Sequence, residues 1–127
     1  MKEAIQTNSA PQAIGPYSQA IKTECHKLVF CSGQIPLDPE TKNIVGETAA
    51  EQCRQVMHNL GEVITAAGGT FENVVKTTIF LSDMADFSKV NEVYGAYFES
   101  TPPARALVEA AALPMAVKIE IDAILAL

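Results

Sequence analysis

Two ionisable residues interrupt the most apolar part of this chain. Arg105 follows the pair Pro102-Pro103 in "TPPARALVEAAAL", and Glu120 breaks the run "VKIEIDAILAL". Arginine is a rigid, permanently charged fork that matches a carboxylate with two parallel hydrogen bonds. Glutamate can accept and return a proton. Together they could hold a small acid and move a proton beside it. The plainer alternative is an ion pair of Arg105 with Glu120 or Glu109 that closes an interface. Such a buried pair must be well made, because stranding one partner costs about 3–5 kcal/mol.

Other candidates carry less. "IGPYSQ" reads as a tight turn that presents Tyr17. "CSGQIP" puts Ser32 and Gly33 at a strand end, where a glycine lets a ligand approach the backbone; a strand-end or bulge glycine is the plainer reading. Asn91 sits mid-helix, where asparagine is a poor helix former and a specific hydrogen bond would explain it. The sequence has no phosphate-binding glycine loop, metal-ligand cluster or nucleophile elbow. Cys25, Cys31 and Cys53 are odd in number and match no zinc or redox spacing, so they read as small buried or half-buried thiols. His26 and His58 come with no recognisable triad partner, and His58 reads as a surface or boundary residue.

The elements that must position these groups follow from periodicity. "KEAIQ" is a short strand, and "AIKTE" and "KLVFCSGQ" read as a hairpin after a turn-rich segment. "TAAEQCRQVMHNLGEVITAAGG" is the clearest helix. Thr48 and Glu51 form a capping-box pattern, Cys53, Val56, Met57, Leu60, Val63, Ile64 and Ala67 make an apolar stripe, and Gly68-Gly69 supplies the stop. Gly61 suggests close packing. "NVVKTTIFLSD" is a buried strand. "ADFSKVNEVYGAYFES" is a second amphipathic helix, with Phe87, Val90, Val93, Tyr94, Tyr97 and Phe98 near one face and Asp86 as its cap. Two strands containing Arg105 and Glu120 follow and are expected to pair. The order β-β-β-α-β-α-β-β predicts one α+β domain over residues 1–127, with two helices on one face of a mixed, mostly antiparallel sheet. Both faces of the last two strands carry apolar residues, so the face without helices is expected to be covered by other copies of the chain.

Composition bounds the partners. With 127 residues and 48% hydrophobic content the chain can build a core, and no apolar run reaches the roughly 20 residues of a membrane span. The net charge is −6, with seven scattered lysines and two arginines, Arg54 and Arg105. That balance argues against a nucleic-acid partner, but not against one small anion held by one arginine. The N-terminus has no signal-peptide pattern, so a cytoplasmic location is expected.

Taken together, "AIGPYSQA", "VFCSGQIP", "VVKTTIFLSDMADFSKVNEVYGAYF" and above all "PPARALVEAAALPMAVKIEID" resemble the RidA (YjgF-type) family of reactive-intermediate deaminases, across nearly the whole chain. The resemblance implies a chorismate-mutase-like fold and a homotrimer with a barrel-like core and active sites between subunits. It implies hydrolysis of 2-imino acids and their enamines, such as 2-iminobutanoate, to 2-oxo acids and ammonia, without a metal or other cofactor. Arg105 would bind the substrate carboxylate, and Glu120 would activate the attacking water. Tyr17 would line the site from the neighbouring subunit. Ser32 and Gly33 would contact the imine end or the water, and Phe87 and Asn91 would shape the cleft. Leu107 departs from the family, many of whose members carry a cysteine there. Relatives have also been given other roles. The alternatives are a non-catalytic trimer that binds 2-oxo or 2-imino acids and docks on metabolic enzymes or regulators, and an RNA-directed nuclease or translation inhibitor.

Overall fold

Thr48 opens the main helix, α1 (Ala49–Ala66), with the reciprocal cap its sequence predicts. The Thr48 hydroxyl accepts from the Glu51 backbone N–H, and the Glu51 carboxylate accepts from the Thr48 N–H, each at 3.1 Å. Cys53, Val56, Met57, Leu60 and Ile64 are buried along one stripe, whereas Val63 turns outward. Gly68, with φ +90°, ends the helix in the left-handed conformation that a side chain resists. At Gly61 a Cβ would stand only 3.2 Å from the Phe71 ring, so the close packing expected there is present.

The computed structural model describes residues 2–127. Its strands are β1 (Lys2–Ile5), β2 (Ala20–Thr23), β3 (Leu28–Gln34), β4 (Val74–Leu81), β5 (Ala104–Glu109) and β6 (Ile119–Ala126). A second helix, α2 (Phe87–Gly95), joins β4 to β5. It is shorter than its periodic pattern, and Tyr97 and Phe98 lie beyond its end. Asp86 occupies the cap position but makes no side-chain cap bond. Asp83 caps the preceding single turn instead, accepting from the Ala85 N–H at 2.9 Å.

Two helices pack on a mixed four-stranded sheet of order β3-β6-β4-β5, in which β6 is antiparallel to both neighbours and β5 is parallel to β4. Two expected pairings are therefore corrected. β2 pairs with β1, not with β3, which finds its partner in β6. β5 does not pair with β6, because β4 lies between them. The β4-α2-β5 segment is a crossover unit, and a helix between two strands returns the chain parallel to its start.

Period-two alternation divides the sheet. Val74, Thr77, Ile79 and Leu81 of β4 and Ile119, Ile121, Ala123 and Leu125 of β6 are buried on the helix side with α1 and α2. The opposite side carries Leu28 and Phe30 of β3, Ile124 of β6 and Val108 of β5. Phe30 is 72% exposed, Leu28 54% and Val108 40%. That open face carries exposed apolar side chains beside Glu120 and Asp122, as the sequence predicts.

Candidate active site

β5 delivers Arg105 to the helix side of the sheet. Its strand neighbours are Thr77 of β4 and, beyond that, Ala123 of β6, both on the buried side. The guanidinium meets three side chains there. Its Nη1 donates to Asn91 Oδ1 of α2 at 2.7 Å. Its Cζ lies 5.2 Å from the centroid of the Tyr17 ring and 5.4 Å from that of Tyr94, within cation–π reach of both. Gly15 closes the fourth side, since a Cβ there would sit 3.4 Å from Nη2. Burial pulls the Arg105 pKa below its usual value, and the nearby Tyr94 and Tyr17 oppose that shift.

No carboxylate is within ion-pair reach of Arg105 among the described residues. The two partners the sequence offered are otherwise engaged or out of range. The Glu109 carboxylate accepts from the Met84 N–H at 2.8 Å. Glu120 lies level with Phe80 and Val108, three residues along from Arg105 and two strands across. That is roughly 10 Å in each direction. Moreover, Glu120 points to the open side of the sheet and Arg105 to the helix side. An ion pair between them within one chain is ruled out by this geometry, and so is a shared site on one face of one chain.

Glu120 instead meets the glycine of β3. The β3–β6 register shifts between Cys31 and Gln34, and this bulge brings Gly33 against the Glu120 side chain. A Cβ at Gly33 would stand 2.9 Å from Glu120 Cδ and 3.0 Å from Cγ, and would collide with the carboxylate oxygen. Ser32 is exposed in the same bulge. Of the residues singled out in the sequence, one chain thus assembles two clusters. Arg105, Tyr17 and Asn91 form the first, and Glu120 and Gly33, with Ser32 next to Gly33, form the second. Tyr17 stacks on the Arg105 of its own chain. Phe87 begins α2 one turn before Asn91, half-buried against the core. Leu107 follows Arg105 on the helix side, level with Ile79, and also packs on the core.

Sequence reasoning missed Tyr94 and Thr77. Both are fully buried, and the Tyr94 hydroxyl is 2.7 Å from Thr77 Oγ1. Burial pushes the Tyr94 pKa up to about 12. The available signals were the i,i+3 spacing of Asn91 and Tyr94, and the hydroxyl of Thr77 inside a strand read as buried.

The sequence matches the family described as Endoribonuclease L-PSP, the YjgF/RidA group, over residues 7–127. The chain belongs to this family. Among its relatives, Protein DfrA of Myxococcus xanthus is 53% identical over 123 residues, covering 97% of this chain and 94% of that protein. A Mus musculus protein named 2-iminobutanoate/2-iminopropanoate deaminase is 47% identical over 124 residues, covering 98% of this chain and 90% of that protein. The fold is similar to the crystal structure of E. coli TdcF with bound serine, with a TM-score of 0.76, 39% identity and 98% of each chain covered. The expected α+β architecture of the RidA family is therefore present here.

Proposed function

We propose that this protein hydrolyses small 2-imino acids, in exchange with their enamines, to 2-oxo acids and ammonia, with 2-iminobutanoate as the type substrate. The observation that carries this reading is the Arg105 guanidinium, half-buried, held by Asn91 and two aromatic rings, and without an internal carboxylate. A cation arranged in this way is complete only when an external anion arrives, and its fork suits a carboxylate. The deaminase name of the mouse relative and the amino acid bound to TdcF agree with such a ligand.

The chemistry asks little more. A protonated imine carbon is electrophilic, so the site must orient the acid and hold one water within attack distance. Arg105 binds the carboxylate. Glu120 takes a proton as water oxygen bonds to the imine carbon, and the C=N π pair moves to nitrogen. Glu120 then passes the proton to the amino group. The C–N bond breaks as the hydroxyl oxygen gives its proton back to the Glu120 carboxylate and becomes the 2-oxo group, and ammonia leaves. Gly33 gives the Glu120 carboxylate its room, Ser32 adjoins the water, and Phe87 and Asn91 shape the cleft. No cofactor enters these steps.

Arg105 and Glu120 occupy opposite sides of one sheet, so one chain holds only halves of the site. The reading therefore includes a homotrimer in the cytoplasm, in which the exposed apolar face of β3, β6 and β5 is covered and the Arg105 cluster of one subunit meets the Glu120 cluster of another. The net charge of −6 favours this small-acid reading over RNA as substrate.

The test is release of ammonia and 2-oxobutanoate from freshly generated 2-aminocrotonate, above the buffer rate. Arg105→Ala should abolish release while light scattering still returns the trimer. Glu120→Gln should bind 2-oxobutanoate but turn over slowly. Wild-type protein that binds 2-oxo acids without accelerating hydrolysis would overturn catalysis in favour of a binding protein. A stable monomer would overturn the shared site.

A further inference from the structure

We propose that Tyr94 is a positioning residue for Arg105, a ring anchored through Thr77 that holds the guanidinium fork ready for a carboxylate. The inference rests on the reading of Arg105 as the carboxylate site and adds a residue pair to it.

The pair is unusual on energetic grounds. Thr77 and Tyr94 are both 0% exposed, in a core otherwise built from Val56, Leu60, Val74, Ile79, Leu81, Ile119 and similar residues. Two buried hydroxyls that satisfy each other gain little over a valine and a phenylalanine of the same shape. Packing alone does not ask for them. What the hydroxyls add is direction. Thr77 is the β4 neighbour of Arg105, with its side chain on the same side of the sheet. Its Oγ1, 2.7 Å from the Tyr94 hydroxyl, ties the far end of the ring to the strand beside Arg105. The ring then lies 5.4 Å from the guanidinium carbon. Strand, hydroxyl, ring and guanidinium make a closed loop.

The other two contacts of Arg105 are less fixed. Tyr17 is half-buried in the segment between β1 and β2, and Asn91 is half-buried on α2. Tyr94 alone among the three is fully buried and held at both ends of its ring. It is therefore the fixed floor against which Tyr17 and Asn91 align the fork. A cation on a desolvated ring is held more strongly than one on an exposed ring.

Two measurements test this. The first is the dissociation constant for 2-oxobutanoate, with kcat and KM for the imino acid. Tyr94→Leu should weaken binding and raise KM about tenfold, the scale of a desolvated cation–π contact. kcat should change much less, because the lost interaction is made equally in ground and transition states. The double variant Thr77→Val/Tyr94→Phe keeps the ring and the core volume but cuts the tether. It should fold as stably as the parent, recover most of the affinity that Tyr94→Leu loses, and remain about threefold weaker than the parent. The second measurement is the arginine Nε–H NMR spectrum of the ligand-free protein. With only Arg54 and Arg105 in the chain, two signals are expected, and Arg54→Lys assigns them. The Arg105 signal should be ring-shifted in the parent and move towards the Arg54 position in Tyr94→Leu. Unchanged binding in both variants, or an Arg105 signal that Tyr94→Leu leaves in place, would overturn the role of Tyr94. Parent protein that binds no 2-oxo acid would overturn the carboxylate site itself, a result the signal position keeps separate from the first.

Discussion

The contact between Gly33 and Glu120 allows a perturbation of one methyl group. In Gly33→Ala the backbone need not change, since Gly33 is not among the glycines with positive φ. The new Cβ would meet Glu120 Cδ at 2.9 Å and Cγ at 3.0 Å, whereas carbon atoms rest at about 3.5–4.0 Å. The carboxylate oxygen stands closer still, so the group must retreat by roughly 1 Å or more. It can do so cheaply in folding terms, because it is the far end of a flexible side chain on a half-buried residue. Stability should stay within about 0.5 kcal/mol of the parent. Catalysis is less tolerant. A misplacement of about 1 Å in a group that must orient a water costs about a hundredfold, or about 2.7 kcal/mol of barrier. The assay is 2-oxobutanoate release from 2-aminocrotonate, beside a thermal melt of the same sample. In a Glu120→Gln background the Gly33→Ala change should cost nothing further, because both changes act through one carboxylate. Parent-like turnover in folded Gly33→Ala would refute the assignment of Glu120 to the water. A double variant much slower than Glu120→Gln alone would show that Gly33 acts by another route.

Thr48→Ala should remove the reciprocal cap of α1, cost about 1 kcal/mol and lower Tm by about 3–5 °C, with activity per folded molecule unchanged; calorimetry and the same assay check it. Burial raises the Cys53 thiol pKa from 9.0 to about 12. The folded state therefore keeps a proton that the unfolded chain gives up first, so stability is whole below about pH 9 and declines as pH rises towards 12. Tm measured over that range should fall, and Cys53→Ala should flatten the first part of the decline. Cys31 and Cys53 are buried and Cys25 is exposed, so a disulfide reagent should titrate one thiol rapidly in native protein and three in denaturant.

What could be read from sequence was mostly local. The capping box of Thr48 and Glu51, the stripe of α1 apart from Val63 and Ala67, and the stop at Gly68 depend on residues within a few positions of one another, and they are present. Alternation correctly placed Arg105 with Leu107 and set Ile119 and Ile121 apart from Glu120. It could not say which side of β5 faces the same way as which side of β6, because that depends on the strand between them. The insertion of β4 rests on two long connections, one of them the α2 crossover. A helix between "NVVKTTIFLSD" and "ARALVEAAAL" was already visible, and it implies parallel neighbours. Tyr17 and Tyr94 meet Arg105 from the segment before β2 and from α2, distances in the chain that no periodicity reports.

β6 is the last strand in chain order, yet it stands between β3 and β4. A chain emerging from the ribosome N-terminus first thus holds β3 with no strand partner and β4 with only β5 until Ile119–Ala126 has followed. Nearly every contact that closes the sheet spans a large part of the chain, and such pairings form slowly. During that interval the apolar side of β3, with Leu28 and Phe30, is available to any other unfinished chain. Synthesis rate and chaperone supply, rather than final stability, would then set how much of the protein reaches its folded form.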